Sequence, residues 1–166
     1  MDSTIILFAS ARRHGNTGRL TDRVASKLEA QVINLGEMNF SGFDYNHSNR
    51  NDDFEPLMEK VLECQHIVFA SPVYWYAVAP AMKEFLDRLS DFLDLPDLLA
   101  KGRSLRKKKG YVICTSNQLQ PDNTFLDIFR KTFTYLGISY RGVIHADCSQ
   151  GLSQKYLEQV PVTFKY

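Results

Sequence analysis

The sequence predicts an α/β fold, and three observations predict it. Short apolar runs rich in β-branched residues recur at residues 5–9, 31–35, 66–70, 111–114 and 138–146. Amphipathic stretches of helical period separate them. Loops of small, polar or basic residues follow the first, third and fourth runs. Strands that read as nearly unbroken apolar runs are buried on both faces, which requires a parallel sheet covered by right-handed helical crossovers.

The first unit sets the pattern. Residues 5–9 read as a buried strand, Ser10, Ala11, Arg12, Arg13, His14, Gly15, Asn16 and Thr17 as a loop, and residues 18–28 as a helix. Asn16 or Thr17 is expected to cap that helix, so that its unpaired N–H groups and positive dipole end face Ser10, Arg12, Arg13 and Gly15. The dipole alone favours an anion by about 0.3–1 kcal/mol. Each charge-assisted hydrogen bond from Ser10, Arg12 or Thr17 adds roughly 1.5–3 kcal/mol, enough together to hold a phosphate. From the loop alone, an ordinary capped turn with solvated side chains remains the alternative.

Residues 31–35, closed by Gly36, complete a strand–helix–strand unit. Residues 38–53 read as a long loop whose Phe40, Phe43 and Tyr45 either cover a ligand or pack on the sheet edge. Asp53 is a candidate cap for a helix with Leu57, Met58, Val61 and Leu62 on one face. Residues 66–70 form the next strand. Pro72 lacks a backbone N–H and is expected to exclude a central strand at that point. The loop it opens presents Val73, Tyr74, Trp75 and Tyr76 just beyond a strand's carboxyl end, where open α/β sheets bind ligands. Three successive aromatics with polar backbone between them suit a flat conjugated ligand; a dimer contact or an edge cluster is the other reading.

A helix follows from Pro80 or Ala81 through Met82, Phe85, Leu86 and Leu89, with Lys83, Asp87 and Arg88 on its other faces. Residues 91–99 are apolar and interrupted by Pro96. Residues 101–110 carry six basic side chains and read as a solvated connection. After the strand at 111–114 comes a third polar loop, Thr115, Ser116, Asn117 and Gln118. Asp122 or Asn123 caps a helix through Phe125, Ile128, Phe129, Phe133 and Leu136 that ends at Gly137, before the fifth strand. Residues 149–166 read as a short helix and a final extended segment.

Composition narrows the function classes. With 166 residues, 44% of them hydrophobic, one domain over 1–166 is expected. A net charge of +1 leaves no global field for nucleic acid or an anionic membrane, and the basic run lacks interleaved aromatics. No apolar run approaches membrane-spanning length and no secretory leader precedes the first strand, so a cytoplasmic protein is expected. Cys64, Cys114 and Cys148 form no Cys-x-x-Cys pair, and the histidines show no ligand spacing with them, so no metal is expected. The chain has no Cys-x5-Arg phosphatase loop, no Gly-x4-Gly-Lys-Ser/Thr run and no Gly-x-Gly-x-x-Gly.

Ser10-Ala11-Arg12 with Gly15-Asn16-Thr17, followed by Ser71-Pro72-Val73-Tyr74-Trp75-Tyr76 and then Met82-Lys83-x-Phe85-x-Asp87-Arg88, resembles the NADPH-dependent FMN reductase family of flavodoxin-like proteins. The resemblance spans most of the chain. It implies a three-layer sandwich around a five-stranded parallel sheet of order 2-1-3-4-5, with FMN as cofactor and NADPH or NADH as electron donor. It further implies that Ser10, Arg12, Gly15, Asn16 and Thr17 form the FMN phosphate loop. Pro72, Val73, Tyr74, Trp75 and Tyr76 would line the isoalloxazine ring, with Thr115, Ser116 and Asn117 closing the other side. Relatives often carry a glycine-rich third loop, from which Ser116-Asn117 departs. A small-molecule acceptor such as a quinone or free flavin, and a homodimer or homotetramer completing the pocket, are expected on the same ground. The competing reading is a non-enzymatic FMN electron carrier; such carriers are strongly acidic and their phosphate loops lack an arginine, unlike this chain. A scaffold with no flavin is the third.

Overall fold

The computed structural model describes residues 3–161. Strand β1 (Thr4–Phe8) leads into helix α1 (Asn16–Leu28), strand β2 (Gln31–Asn34), helix α2 (Phe54–Glu63), strand β3 (His66–Pro72) and helix α3 (Pro80–Arg88). Two short helices, α4 (Asp91–Asp94) and α5 (Leu99–Ser104), precede strand β4 (Lys109–Ser116). Helix α6 (Asn123–Leu136), strand β5 (Ser139–Asp147) and helix α7 (Gln154–Gln159) complete the described chain. All four strand pairings are parallel, in the order β2-β1-β3-β4-β5.

The two faces of the sheet explain the apolar runs. Ile5, Leu7, Ile67, Phe69, Val112 and Cys114 face a core formed with α2, α3 and α6. Their alternates Ile6, Phe8, Val68, Ala70, Tyr111 and Ile113 face a second core with α1 and α7. Every central strand position therefore needs an apolar side chain, and period-two alternation disappears. The chain reverses its direction of travel across the sheet after β2. This puts α1 and α2 on opposite faces and opens a crevice at the carboxyl ends of β1 and β3.

Several expectations are corrected. Pro72 does not exclude a strand: β3 is central and runs through it, with Pro72 in register with Thr115. The main-chain groups of Ala70 face β1, where its oxygen accepts the Ala9 N–H, whereas Val73 donates to Thr115 on β4. By that alternation Pro72 faces the β1 side after β1 has ended, so no ladder bond is lost. Neither Asn16 nor Thr17 caps α1; both lie in its first turn, and the capping position is Gly15, without a side-chain bond. Asp53 stands at the cap of α2 but makes no capping bond. Its carboxylate accepts the Asn39 N–H, while Asp52 takes the Phe54 N–H. Asp122 does cap α6, accepting from the Phe125 N–H at 3.0 Å, and Gly137 closes that helix at φ 75°.

The basic stretch is solvated only in part: Lys101, Arg103, Arg106 and Lys107 are exposed, but the segment is not a plain connection. It forms the end of α5, a single 3-10 turn and the start of β4, and Lys108 is buried, donating to the Leu62 and Cys64 carbonyls at the end of α2. Arg88 is also buried rather than on an outer face of α3. The short C-terminal helix is α7, capped by Ser153; the extended segment expected after it lies outside the described residues. No helix among the described residues is long and apolar enough to cross a membrane.

Candidate active site

Three of the chain's loops meet at the carboxyl edge of the sheet. After β1, residues 10–15 bend back onto the first turn of α1. The bend is tight: the Arg13 carbonyl lies where a Cβ on Gly18 would approach to 1.8 Å, so only glycine fits there. Arg13 also grips α1 through a two-pronged ion pair with Asp22 at 2.7 and 3.1 Å and lies over the Phe8 ring at 5.2 Å. The hydrogen bond to Asp22 raises its affinity for its proton. Arg13 is therefore a strut of the loop. Arg12 is exposed and has no ion-pair partner among the described residues. Likewise the Asn16, Thr17 and Gly18 N–H groups have no hydrogen-bond acceptor among the described residues. Three aimed donors at the end of a 13-residue helix, beside an unpaired guanidinium, fit a phosphate dianion.

The second loop is a strained turn. Tyr74 and Ala77 exchange main-chain hydrogen bonds at 2.9 and 3.0 Å, and between them Trp75 and Tyr76 both adopt left-handed conformations, φ 49° and 65°. Non-glycine residues in that region cost on the order of 1–3 kcal/mol each and persist only where the surroundings hold them. Ser71 supplies one restraint, its hydroxyl donating to the Pro72 carbonyl and accepting the Ala79 N–H. The strain has a visible product: Trp75 is 94% exposed and Tyr76 half exposed, both rings offered at the sheet edge. Tyr74 turns the other way, and its hydroxyl meets the Ala11 N–H at 3.3 Å, which joins the first loop to the second.

The third wall begins inside a strand. Thr115 and Ser116 belong to β4 and not to the loop that follows it, and Asn117 is the first loop residue. Thr115 and Thr17 share a buried 2.7 Å hydroxyl contact. One donates to the other, and the proton of the acceptor remains free for a ligand. The Ser116 hydroxyl contacts Nε2 of His145, a residue on β5 that sequence reasoning passed over. Cys148 was likewise not counted: its N–H donates to the Ser116 carbonyl, and its thiol lies near Asn16 and Arg19. A loop of small polar residues after a fifth strand was the available sign, since ligand-binding loops gather at such ends.

Ser10 and Ala11 thus meet the Tyr74 hydroxyl, Thr17 meets Thr115, and Ser116 and Asn117 follow at the end of β4, while Arg12, Trp75 and Tyr76 stand exposed nearby on the first two loops. Pro72 lies buried beneath them. Neither Cys114 nor Cys148 offers a ready nucleophile: burial pushes the Cys114 thiol up to about 12 and also raises that of Cys148. No group of three or more potential metal ligands occurs among the described residues. A separate cavity of about 290 Å³ lies over β4 and β5 and is lined by Tyr111, Ile113, Val143 and Tyr156. Arg141 and His145 also line it, and it lies over the sheet away from the loops after β1 and β3.

The sheet order and the loops at its carboxyl edge define the flavodoxin-like class of α/β proteins, with an anion cradle after β1 and an aromatic turn after β3. Residues 3–140 match the model of the NADPH-dependent FMN reductase family, and the chain belongs to that family of FMN-dependent oxidoreductases with a nicotinamide donor. Its relatives include YwqN of Bacillus subtilis (strain 168), named as an NAD(P)H-dependent FMN-containing oxidoreductase. The two are 25% identical over 147 residues, 84% of this chain and 81% of that one. The fold also matches the Trp repressor binding protein of Bacillus subtilis (TM-score 0.70, 23% identity, 87% of this chain and 83% of that one). An FMN-dependent NADH-azoreductase from Bacillus anthracis, solved in complex with FMN, superposes with TM-score 0.67 at 12% identity over 96% of this chain and 93% of that one.

Proposed function

We propose that this chain carries reducing equivalents from NADPH or NADH to a quinone, free flavin or similar small acceptor, using FMN held at the carboxyl edge of the sheet. The observation that carries this reading is the contact between cradle and turn. The free N–H groups of α1 and the Arg12 guanidinium stand beside an aromatic turn, linked by the Tyr74 hydroxyl on the Ala11 N–H. A phosphate and a conjugated ring on one molecule need those two surfaces side by side.

When bound, FMN would supply the redox chemistry that links the nicotinamide to the acceptor. The protein binds and orients. Asn16, Thr17 and Gly18 N–H groups, with Arg12 and Ser10, would hold the phosphate. The Val73 to Tyr76 turn would support the ring, and Trp75 and Tyr76 would shield it from water on the open side. No acid–base residue is needed for hydride transfer itself, and none is assigned. The exposed Trp75 and Tyr76 are also the surface against which a second copy of the chain would close the site, in a homodimer or homotetramer. A cytoplasmic setting suits a reductase that draws on the nicotinamide pool.

The deciding experiment is an absorbance titration of the purified protein with FMN, followed by NADPH or NADH without oxygen. Rapid bleaching of bound flavin is expected, and the faster nucleotide identifies the donor. Flavin that binds yet stays oxidised would assign the protein to the electron carriers, and absence of binding would leave a scaffold. Arg12→Ala is expected to weaken FMN binding by about ten- to a hundredfold, the loss of one charge-assisted contact, with the thermal midpoint unchanged. Undiminished affinity would remove Arg12 from the phosphate site.

A further inference from the structure

The third loop has little of its own to hold it. Asn117, Gln118, Leu119 and Gln120 are all exposed, with Leu119 83% accessible. Among the described residues, the only hydrogen bond made from within this stretch is the Gln118 N–H to the Ser116 hydroxyl at 3.2 Å. The course of the segment therefore depends on the Ser116 side chain. That hydroxyl accepts from Gln118, so its own proton is left to donate, and Nε2 of His145 lies 2.8 Å away. His145 is itself fixed. The register sets Cys114 beside it and Ser116 beside Asp147, and the Tyr156 hydroxyl of α7 donates to its carbonyl at 2.6 Å. Burial holds its imidazole below the usual range, outweighing the opposing effect of Asp147, and this favours the neutral ring that can accept from Ser116.

We propose that His145 is a positioning residue of the FMN site: by holding the Ser116 hydroxyl, it fixes the course of residues 117–119 along the wall of the crevice. The role rests on the FMN reading given above. A loop without glycine has less freedom to bring its backbone close to a ring, and here its course is set by a side chain anchored from the neighbouring strand. The imidazole never touches the ligand; it acts through Ser116.

The test compares wild type with His145→Leu, His145→Gln, Ser116→Ala and the Ser116→Ala/His145→Leu pair, reading FMN affinity, the visible band shape of bound flavin, and amide exchange at Gln118 without ligand. His145→Leu and Ser116→Ala are expected to weaken FMN binding about three- to tenfold and to speed Gln118 exchange about tenfold or more. The double variant should be no weaker than either single one, because both remove the same contact. Glutamine can still receive the serine proton, so His145→Gln should return to within about twofold of wild type. Additive losses in the double variant, or a Gln118 amide as protected in His145→Leu as in wild type while FMN binds normally, overturn the role of His145 alone. A wild-type chain that takes up no FMN instead overturns the reading of the site. Should His145→Leu fail to fold, His145→Phe, which keeps an aromatic ring but cannot receive the serine proton, carries the same comparison.

Discussion

Gly18→Ala is expected to abolish useful FMN affinity and to destabilise the protein, although alanine is the better helix former. In an exposed helix interior the substitution stabilises by roughly 1 kcal/mol. Here the new methyl would sit 1.8 Å from the Arg13 carbonyl oxygen, a backbone atom with no side-chain freedom to yield. Either residues 12–15 move outward or the first turn of α1 unwinds, and in both cases the Asn16, Thr17 and Gly18 N–H groups cease to converge. Two lost charge-assisted bonds at about 1.5–3 kcal/mol each correspond to more than roughly a hundredfold in affinity. The strain itself should lower stability by about 1–3 kcal/mol. The sign is the test, read by FMN titration beside thermal unfolding. A variant that melts higher than wild type and keeps its flavin would show that the loop does not lie on the helix as described.

The cradle was legible in the sequence because its parts are contiguous: a buried strand, eight small or polar residues and a helix lie within residues 5–28. The strands were legible for the same local reason, as burial on both faces leaves an apolar signature. What local reading missed depends on register or on side chains reaching across elements. Pro72 was misjudged because its place in a central strand is allowed only by where β1 stops. His145 stands 29 positions from Ser116, and only the β4–β5 pairing joins them. Asn16 and Thr17 have the composition of caps, yet Gly15 holds that position, leaving their N–H groups rather than their side chains aimed at the cradle.

Arg88 shows the same limit with the largest consequence for stability. Helical period assigned it to an outer face of α3, but the loop over residues 38–53 folds across that face and encloses it. Its guanidinium bonds Asp52 at 2.5 Å, Asp91 at 2.8 Å and the Ser41 carbonyl at 3.1 Å, and lies 4.6 Å over the Phe54 ring. Burial by itself would lower its proton affinity, and the bonds to Asp52 and Asp91 reverse that. His47 Nδ1 completes the cluster, 2.9 Å from Asp91. The loop that follows β2 is thus pinned to α3 and α4 by one cation between two carboxylates. Arg88→Met keeps the bulk but takes the shared cation from both carboxylates, one of them fully buried and left with His47 alone, and is expected to cost about 3–5 kcal/mol. For a chain of this length that lowers the thermal midpoint by roughly 6–20 °C. Removing the charges together should be far milder, because a buried ion cluster replaced whole by neutral groups is often close to neutral in stability. The Asp52→Asn/Arg88→Met/Asp91→Asn variant is therefore expected to melt well above Arg88→Met alone. A single variant that melts with wild type, or a triple variant no better than the single, would mean that the cluster does not bear on the anchoring of this loop.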